Sequence, residues 1–401
     1  MTKDMLTEYN IIMRLLFFKL ALPVLIFVAS IACDDTPYKV RIMDYDIEKD
    51  AYRLRAVEIE TLKDINRLEG RATSLIGGAK IEINFIKQMM SWDKPGRHVA
   101  FRAIKSDGVY IPEDFDSLAM VSIYYNMEHA MLFFESLGMP HNLSGQLNTY
   151  YWPDLTITEK DGNVADTYTM EDNAFYMYTT QNDRNFYVFP YKKYEWLPMG
   201  MNLGIMTHEY THSVFDSLVV DPTRNTVGAN MENSSKNFLY GLNEGCADFM
   251  AFASTADPDF MLHSIRKNTA SSIYKEIVRD CSDITQYDKS FDSSARSSAV
   301  KKFYPYDIGS FFASTLYEIA QKVDASEGNT SQIPSKHARQ IVAKTLYRTL
   351  ENLGNTLTVD FELWDFFNLF VSQTIDDNIK KATCDTLEKQ YAMYYSEIVG
   401  C

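Results

Sequence analysis

Histidine is scarce in this chain, 7 in 401 residues, and the 5 cysteines never occur as a closely spaced pair. The first shortage makes any clustering of histidines informative. The second excludes a cysteine-held metal cluster, whose ligands need short fixed spacings. Positive charge is also short, 39 Lys and Arg against 54 Asp and Glu, for a net charge of −15 and a pI near 5.0. That balance excludes the basic footprint of a nucleic-acid binder. No internal repeat is present, and low complexity is confined to a Ser-rich piece at 292–298. The apolar run Leu20 to Ala32 spans thirteen residues, too few to cross a bilayer comfortably. What remains is an ordinary globular composition, 46% hydrophobic, enough for a substantial core in two or three units.

The chemistry concentrates at Met206-Thr207-His208-Glu209-Tyr210-Thr211-His212. Apolar residues at 203, 205, 206, 210, 214, 215 and 218 recur at three- and four-residue intervals and predict a buried helix. On it His208 and His212 share one face and can direct two imidazoles at a single ion, with Glu209 beside it. Zinc accepts such nitrogens, and a catalytic zinc leaves a position for a water whose pKa falls to about 7. Glu209 is placed to take that proton. A chance match to this pattern has a probability on the order of 1 in 100 at such composition. A third ligand follows in Asn243-Glu244-Gly245-Cys246-Ala247-Asp248, where Glu244 and Asp248 lie four apart on a second predicted helix. Glu244 completes the ligand set. Asp248, one turn on, is positioned to hold the other ring nitrogen of a zinc histidine.

These two segments resemble the thermolysin-like metallopeptidases, with the fungalysins as close relatives. Asn173-Ala174-Phe175-Tyr176 is similar to the family's edge strand that pairs with substrate backbone, and Trp196-Leu197-Pro198-Met199 to the segment before its zinc helix. The resemblance runs from about Asp116 to about Ile319. It implies an α+β fold of two lobes, a β-rich N-terminal lobe with the zinc helix and a mainly α-helical C-terminal lobe, with a cleft between. It implies a zinc endopeptidase in which His208, His212 and Glu244 hold Zn2+ and Glu209 is the catalytic base. Asn173 and Ala174 would bind the peptide as an added strand. Arg279 resembles the arginine that reaches a substrate carbonyl, and Trp196, Met199 and Ile205 would wall the pocket for an apolar residue after the cut. The chain also departs from the family. Its oxyanion histidine is replaced in Tyr304-Pro305-Tyr306-Asp307-Ile308-Gly309, so Tyr306 is the candidate donor; a neutral phenol can serve. Gly204 and Thr255 stand at calcium-ligand positions, so no calcium is expected there.

Arg14 and Lys19 precede the apolar run that ends at Ser30-Ile31-Ala32-Cys33, which reads as an export signal with a lipobox-like end. Cys33 would then carry a lipid and tether the chain to a bacterial envelope, although cleavage of an ordinary signal peptide nearby fits the same pattern. The remaining Cys246, Cys281, Cys384 and Cys401 allow three pairings; Cys384 with Cys401 is favoured because they flank one helix-like stretch. The expected organisation is a signal peptide at 1–32, a β-rich segment at 33–115, the N-terminal catalytic lobe at 116–218 and the helical lobe at 219–401. Within it a helix is predicted from Ser117 to Leu137, strands over Asn148 to Trp152, Asp166 to Thr180 and Asn185 to Pro190, and a polar loop from Asp221 to Lys236. His129 reads as a core or surface residue rather than a ligand. The protein is expected to be a monomer acting on protein or peptide substrates. A non-catalytic peptide or cell-wall binder and a purely structural zinc protein are the alternatives; retention of Glu209 argues against the latter, since a structural site needs no base.

Overall fold

A computed structural model describes residues 37–401 except 47–48, 50, 85, 88, 142, 144–146, 162–163, 181–182, 192–196, 266–278, 285 and 298–304. The expectations for Cys33 and for Trp196 lie outside the described residues.

The N-terminal third is built of strands: β1 (Tyr38–Asp46), β2 (Ala51–Ile59), β3 (Leu62–Asp64), β4 (Glu69–Gly70) and β5 (Ser74–Gly77). Then come β6 (Lys80–Asn84), β7 (Met89–Lys94), β8 (Arg97–His98), β9 (Ala103–Ser106) and β10 (Val109–Pro112). Helix α1 (Phe115–Leu137) begins where the Asp114 side chain accepts the Ser117 N–H and ends at Gly138, whose φ of 119° only glycine adopts easily. Five more strands follow it, the first four being β11 (Asn148–Tyr151), β12 (Asp154–Asp161), β13 (Val164–Thr169) and β14 (Ala174–Thr180). The last is β15 (Asp183–Val188). The strand expected over Asp166 to Thr180 is thus two, interrupted where Asp172 takes a positive φ of 50°.

These strands form three sheets, in the orders β2-β1-β10-β9, β14-β15-β11-β5-β4-β3 with β8 added to β5, and β13-β12-β6-β7. Strand β14 lies at the edge of the second sheet, paired only with β15 among the described strands. Behind it runs α2 (Leu203–Phe215), the helix predicted to bear the metal site. Phe134 of α1 and Phe186 of β15 stack on Tyr210 at 5.7 and 6.0 Å, so α2 is wedged between the long helix and the sheet.

The polar loop expected at 221–236 is instead largely helical. Helical turns continue from α2 through Asp216–Val220, Asp221–Thr223 and Arg224–Gly228 before α3 (Asn233–Thr255) starts. The polar residues mislead because side-chain bonds use them: Asp221 pairs with the distant Arg184 and with Arg224 one turn on, and Thr223 Oγ1 donates back to Val219 O at 2.7 Å.

The C-terminal region is helical: α3, α4 (Lys289–Ala295), α5 (Pro305–Ser326), α6 (Lys336–Thr356), α7 (Leu363–Gln373) and α8 (Asp377–Gln390). Helices α3 and α5 touch almost backbone to backbone. A Cβ on Gly245 would stand 2.5 Å from Gly309 O and 2.6 Å from Phe312 Cβ, so both helices need glycine at the crossing. This brings Glu244 and Tyr306 to the same end of the crossing. A disulfide joins Cys384 of α8 to Cys401, as favoured from the sequence, while Cys246 and Cys281 are free and buried. Among the described residues no helix is long and apolar enough to cross a membrane.

Candidate metal centre and cleft

Asn202 starts the metal-site helix and fixes its position. Its side-chain oxygen accepts the N–H groups of Gly204 and Ile205 at 3.0 and 3.2 Å, and its amide donates to Phe260 O and Ser264 Oγ. Phe260 then packs on Gly204 so closely that a Cβ there would lie 2.5 Å from it.

One turn further on, His208 Nε2 and His212 Nε2 face each other at 3.0 Å. Glu244, carried by α3, sets Oε2 3.5 Å from His208 Nε2 and Oε1 3.8 Å from His212 Nε2. Two imidazoles and a carboxylate with bonds of 2.0 to 2.1 Å to one zinc would stand about 3.3 Å apart along the edges of a tetrahedron. The three donors already have nearly that spacing and lie within 4.8 Å of one another, so the residues present fit a zinc ion. The opposite ring nitrogens are held in place. His212 Nδ1 is 3.0 Å from Asn243 Oδ1, and His208 Nδ1 is 3.0 Å from Asp248 Oδ1, which orients both Nε2 atoms inward. Asp248 thus occupies the place expected of it. Asn243 was not singled out in advance, although its position beside Glu244 in the motif was the available signal.

Charge in the site favours a cation. Burial alone would raise the Glu244 carboxyl, but the positive charge of His212, the bond to His208 and Arg279 hold it well below the usual carboxylate range. Burial and Arg279 pull His208 down, yet the bonds to Asp248 and Glu244 outweigh them and raise it to about 9.

Arg279 lies in the same network rather than free in the cleft. Its Nε and Nη2 grip Asp248 Oδ2 and Oδ1 at 2.9 and 2.7 Å, and Nη2 also reaches Glu244 Oε2 at 2.9 Å. The ring of Tyr306 covers its face, 4.5 Å from Cζ to centroid. The two residues for which the sequence offered the shortest local matches therefore meet at the metal ligands.

A cleft of about 650 Å³ opens over this network. Asn173, Ala174, Met199, Ile205, Glu209, Arg279 and Tyr306 all line it, whereas Asp248 lies buried behind the ligands. Strand β14 presents its free edge here. Asn173 O is spent on Phe189 N–H, so the alternation of the strand turns the backbone of Ala174 and Tyr176 toward the cleft. The Asn173 side chain caps the Ala174 N–H at 2.8 Å, and the Tyr176 N–H donates to Glu209 Oε2 at 2.8 Å. That backbone bond to Glu209 has no side-chain signature and was invisible in the sequence. On the apolar side Met199, Ile205, Ala174 and Phe260 form one cluster, against which Met261 and Ile265 pack. Those last two were missed because they lie on a short irregular turn rather than on the predicted helices. Asp216, also unforeseen, lines the cleft one turn beyond His212.

A carboxylate set beside a zinc-fitting triad, next to an open strand edge, defines the site of a zinc metallopeptidase, and the two-part α+β architecture is thermolysin-like. The family described as "Fungalysin metallopeptidase (M36)" matches residues 139–359, more than half of the chain, and the chain belongs to that family of exported, zinc-dependent peptidases. Among solved structures it is similar to the precursor of protealysin, a metalloproteinase from Serratia proteamaculans, at 12% identity and a TM-score of 0.41, over 78% of this chain and 87% of that one. None of the curated proteins matches the chain.

Glu244→Ala is expected to reduce bound zinc from one per chain to near zero, while Asn243→Ala, which frees only a ring orientation, should weaken zinc affinity about 10- to 100-fold. Zinc per chain by elemental analysis and competition with a graded chelator check both; full occupancy in Glu244→Ala would remove it from the ligand set.

Proposed function

We propose that this chain is an endopeptidase that cuts before apolar residues, with His208, His212 and Glu244 holding zinc. The observation that carries the reading is the position of Glu209, a carboxylate beside the ligand triad with one oxygen anchored by the Tyr176 N–H. Zinc, when bound, supplies a Lewis acid that makes water acidic and polarises the scissile carbonyl. The residues of the chain do the rest. Strand β14 takes the peptide as an added strand through the outward carbonyls of Ala174 and Tyr176, with the Asn173 side chain beside them, a mode indifferent to most side chains. The free oxygen of Glu209 accepts the proton of the attacking water and returns it to the leaving amine. Tyr306 donates its phenolic hydrogen to the developing oxyanion, a role worth about 10²–10³ in rate. Arg279 braces Asp248 and Glu244 and turns its remaining edge to a substrate carbonyl. Met199 and Ile205, with Met261 and Ile265, receive the side chain after the cut.

Glu209→Gln should keep zinc and lose hydrolysis, because an amide preserves the Tyr176 bond only in part and cannot accept a proton. Tyr306→Phe should lower kcat about 10²–10³-fold with KM little changed. Cleavage of an unstructured protein, with and without chelator, measures both; zinc bound by the parent without any cleavage would make the chain a peptide binder instead.

An apolar pocket gains roughly 25 cal/mol per Å² of apolar surface buried, enough to favour Leu or Phe over charged residues by one to two orders of magnitude. Sequencing fragment ends from a mixed peptide library reads this directly, and equal cutting before Asp, Glu or Lys would displace the pocket.

The same reading makes the protein a lipid-anchored envelope enzyme through Cys33, working as a monomer. A Cys33→Ala chain should lose membrane attachment or retain its signal. Fatty-acid label recovered on that variant would exclude Cys33 as the anchor.

A further inference from the structure

A second pocket, of about 480 Å³, is lined by the end of β2, by α1, by the last turn of α3 and by the first turn of α6, and it shares no lining residue with the metal cleft. Arg339 of α6 lines it and is only 8% exposed. Its Nε is buried with no partner, and its Nη1 makes a single long contact of 3.5 Å with Pro334 O. Among the described residues no carboxylate pairs with it. Asp324, whose charge it feels, spends its Oδ2 on the Asn329 amide and the Ser335 N–H. The Phe252 ring, 5.8 Å from Cζ, offers only a cation–π contact. A guanidinium taken from water without a counterion is costly, so an arginine kept in this state at the wall of a pocket calls for an anionic ligand there.

The rest of the lining says which anion. His129 also lines the pocket, and burial, with Arg55 and Lys336 adding to it, lowers its pKa to about 4, so the ring is neutral. Exposed Lys336 adds a second positive charge at the mouth. Facing these are Glu58 and Glu60, also exposed, and buried Glu128, whose Oε1 accepts the Thr61 N–H at 2.6 Å. Three glutamates repel a phosphate, which carries more than one negative charge, but they suit a ligand that pairs its carboxylate with an ammonium group. Leu132 and Phe133 supply an apolar wall.

We propose that this pocket binds a small zwitterion, a free amino acid or short peptide, with its carboxylate on Arg339 and Lys336 and its ammonium toward Glu58 and Glu60. The site is independent of the chemistry assigned to the cleft. Calorimetric titration of the zinc-loaded, full-length protein with leucine tests it, with acetate and inorganic phosphate as the comparison probes. Leucine is expected to saturate one site and to bind more tightly than either anion. Arg339→Gln should weaken leucine at least tenfold without changing peptidase activity. Because removing a buried arginine can unfold the chain, Glu60→Gln, at an exposed position, supplies a second arm: it should weaken leucine severalfold and leave acetate unchanged or tighter. The proposal is overturned if leucine shows no saturable binding, if folded Arg339→Gln and Glu60→Gln both bind it like the parent, or if phosphate binds more tightly than leucine.

Discussion

Asp248 and Arg279, 1% and 7% exposed, form the ion pair on which the rest of the site depends. A buried pair of this kind is sustained only when its remaining hydrogen-bonding capacity is met. Here it is met by the metal ligands themselves, since Asp248 also holds His208 and Arg279 also holds Glu244. Removal of either partner would strand a charge beside the zinc-fitting triad. One bidentate contact therefore orders groups from α2, from α3 and from the segment around residue 279, which are far apart in sequence.

The backbone geometry that permits this contact is set elsewhere. The glycine crossing of α3 on α5 lets Glu244 and Tyr306 approach together, and the Asn202 cap fixes the rotation of α2, so that His208 and His212 face α3 rather than the sheet. The opposite face of α2 is locked by Tyr210 between two phenylalanines. Helix α2 thus has no freedom to turn its imidazoles away, and the cost of assembling three ligands is met by apolar packing remote from them.

The cleft joins two unlike walls. On one side is the edge of β14, which in the proposed reading would take an extended peptide; on the other is an apolar cluster that would select among side chains. Glu209 sits between them, and its bond to the Tyr176 N–H ties the position of the carboxylate to β14. A shift of β14 would therefore carry the Glu209 carboxylate with it.

The sequence alone determined the elements whose chemistry is local. Four-residue spacing put His208 with His212 and Glu244 with Asp248 on shared helix faces, because helical periodicity needs no tertiary partner to be read. The helix from Ser117 to Leu137 was legible for the same reason, although its cap at Asp114 was not, and the flanking positions of Cys384 and Cys401 favoured their pairing. Tertiary structure decided whatever depends on which surfaces meet. The polar stretch after α2 became helical because Asp221 found Arg184 and Arg224, and polarity by itself looks the same in a loop. Asn243 acquired a partner in His212 only when α3 crossed α2, and Tyr176 contributes through a backbone N–H that every residue possesses. Arg339 lines its pocket with no carboxylate paired to it among the described residues, a state that no residue type or spacing announces, because pairing is a property of the folded surroundings.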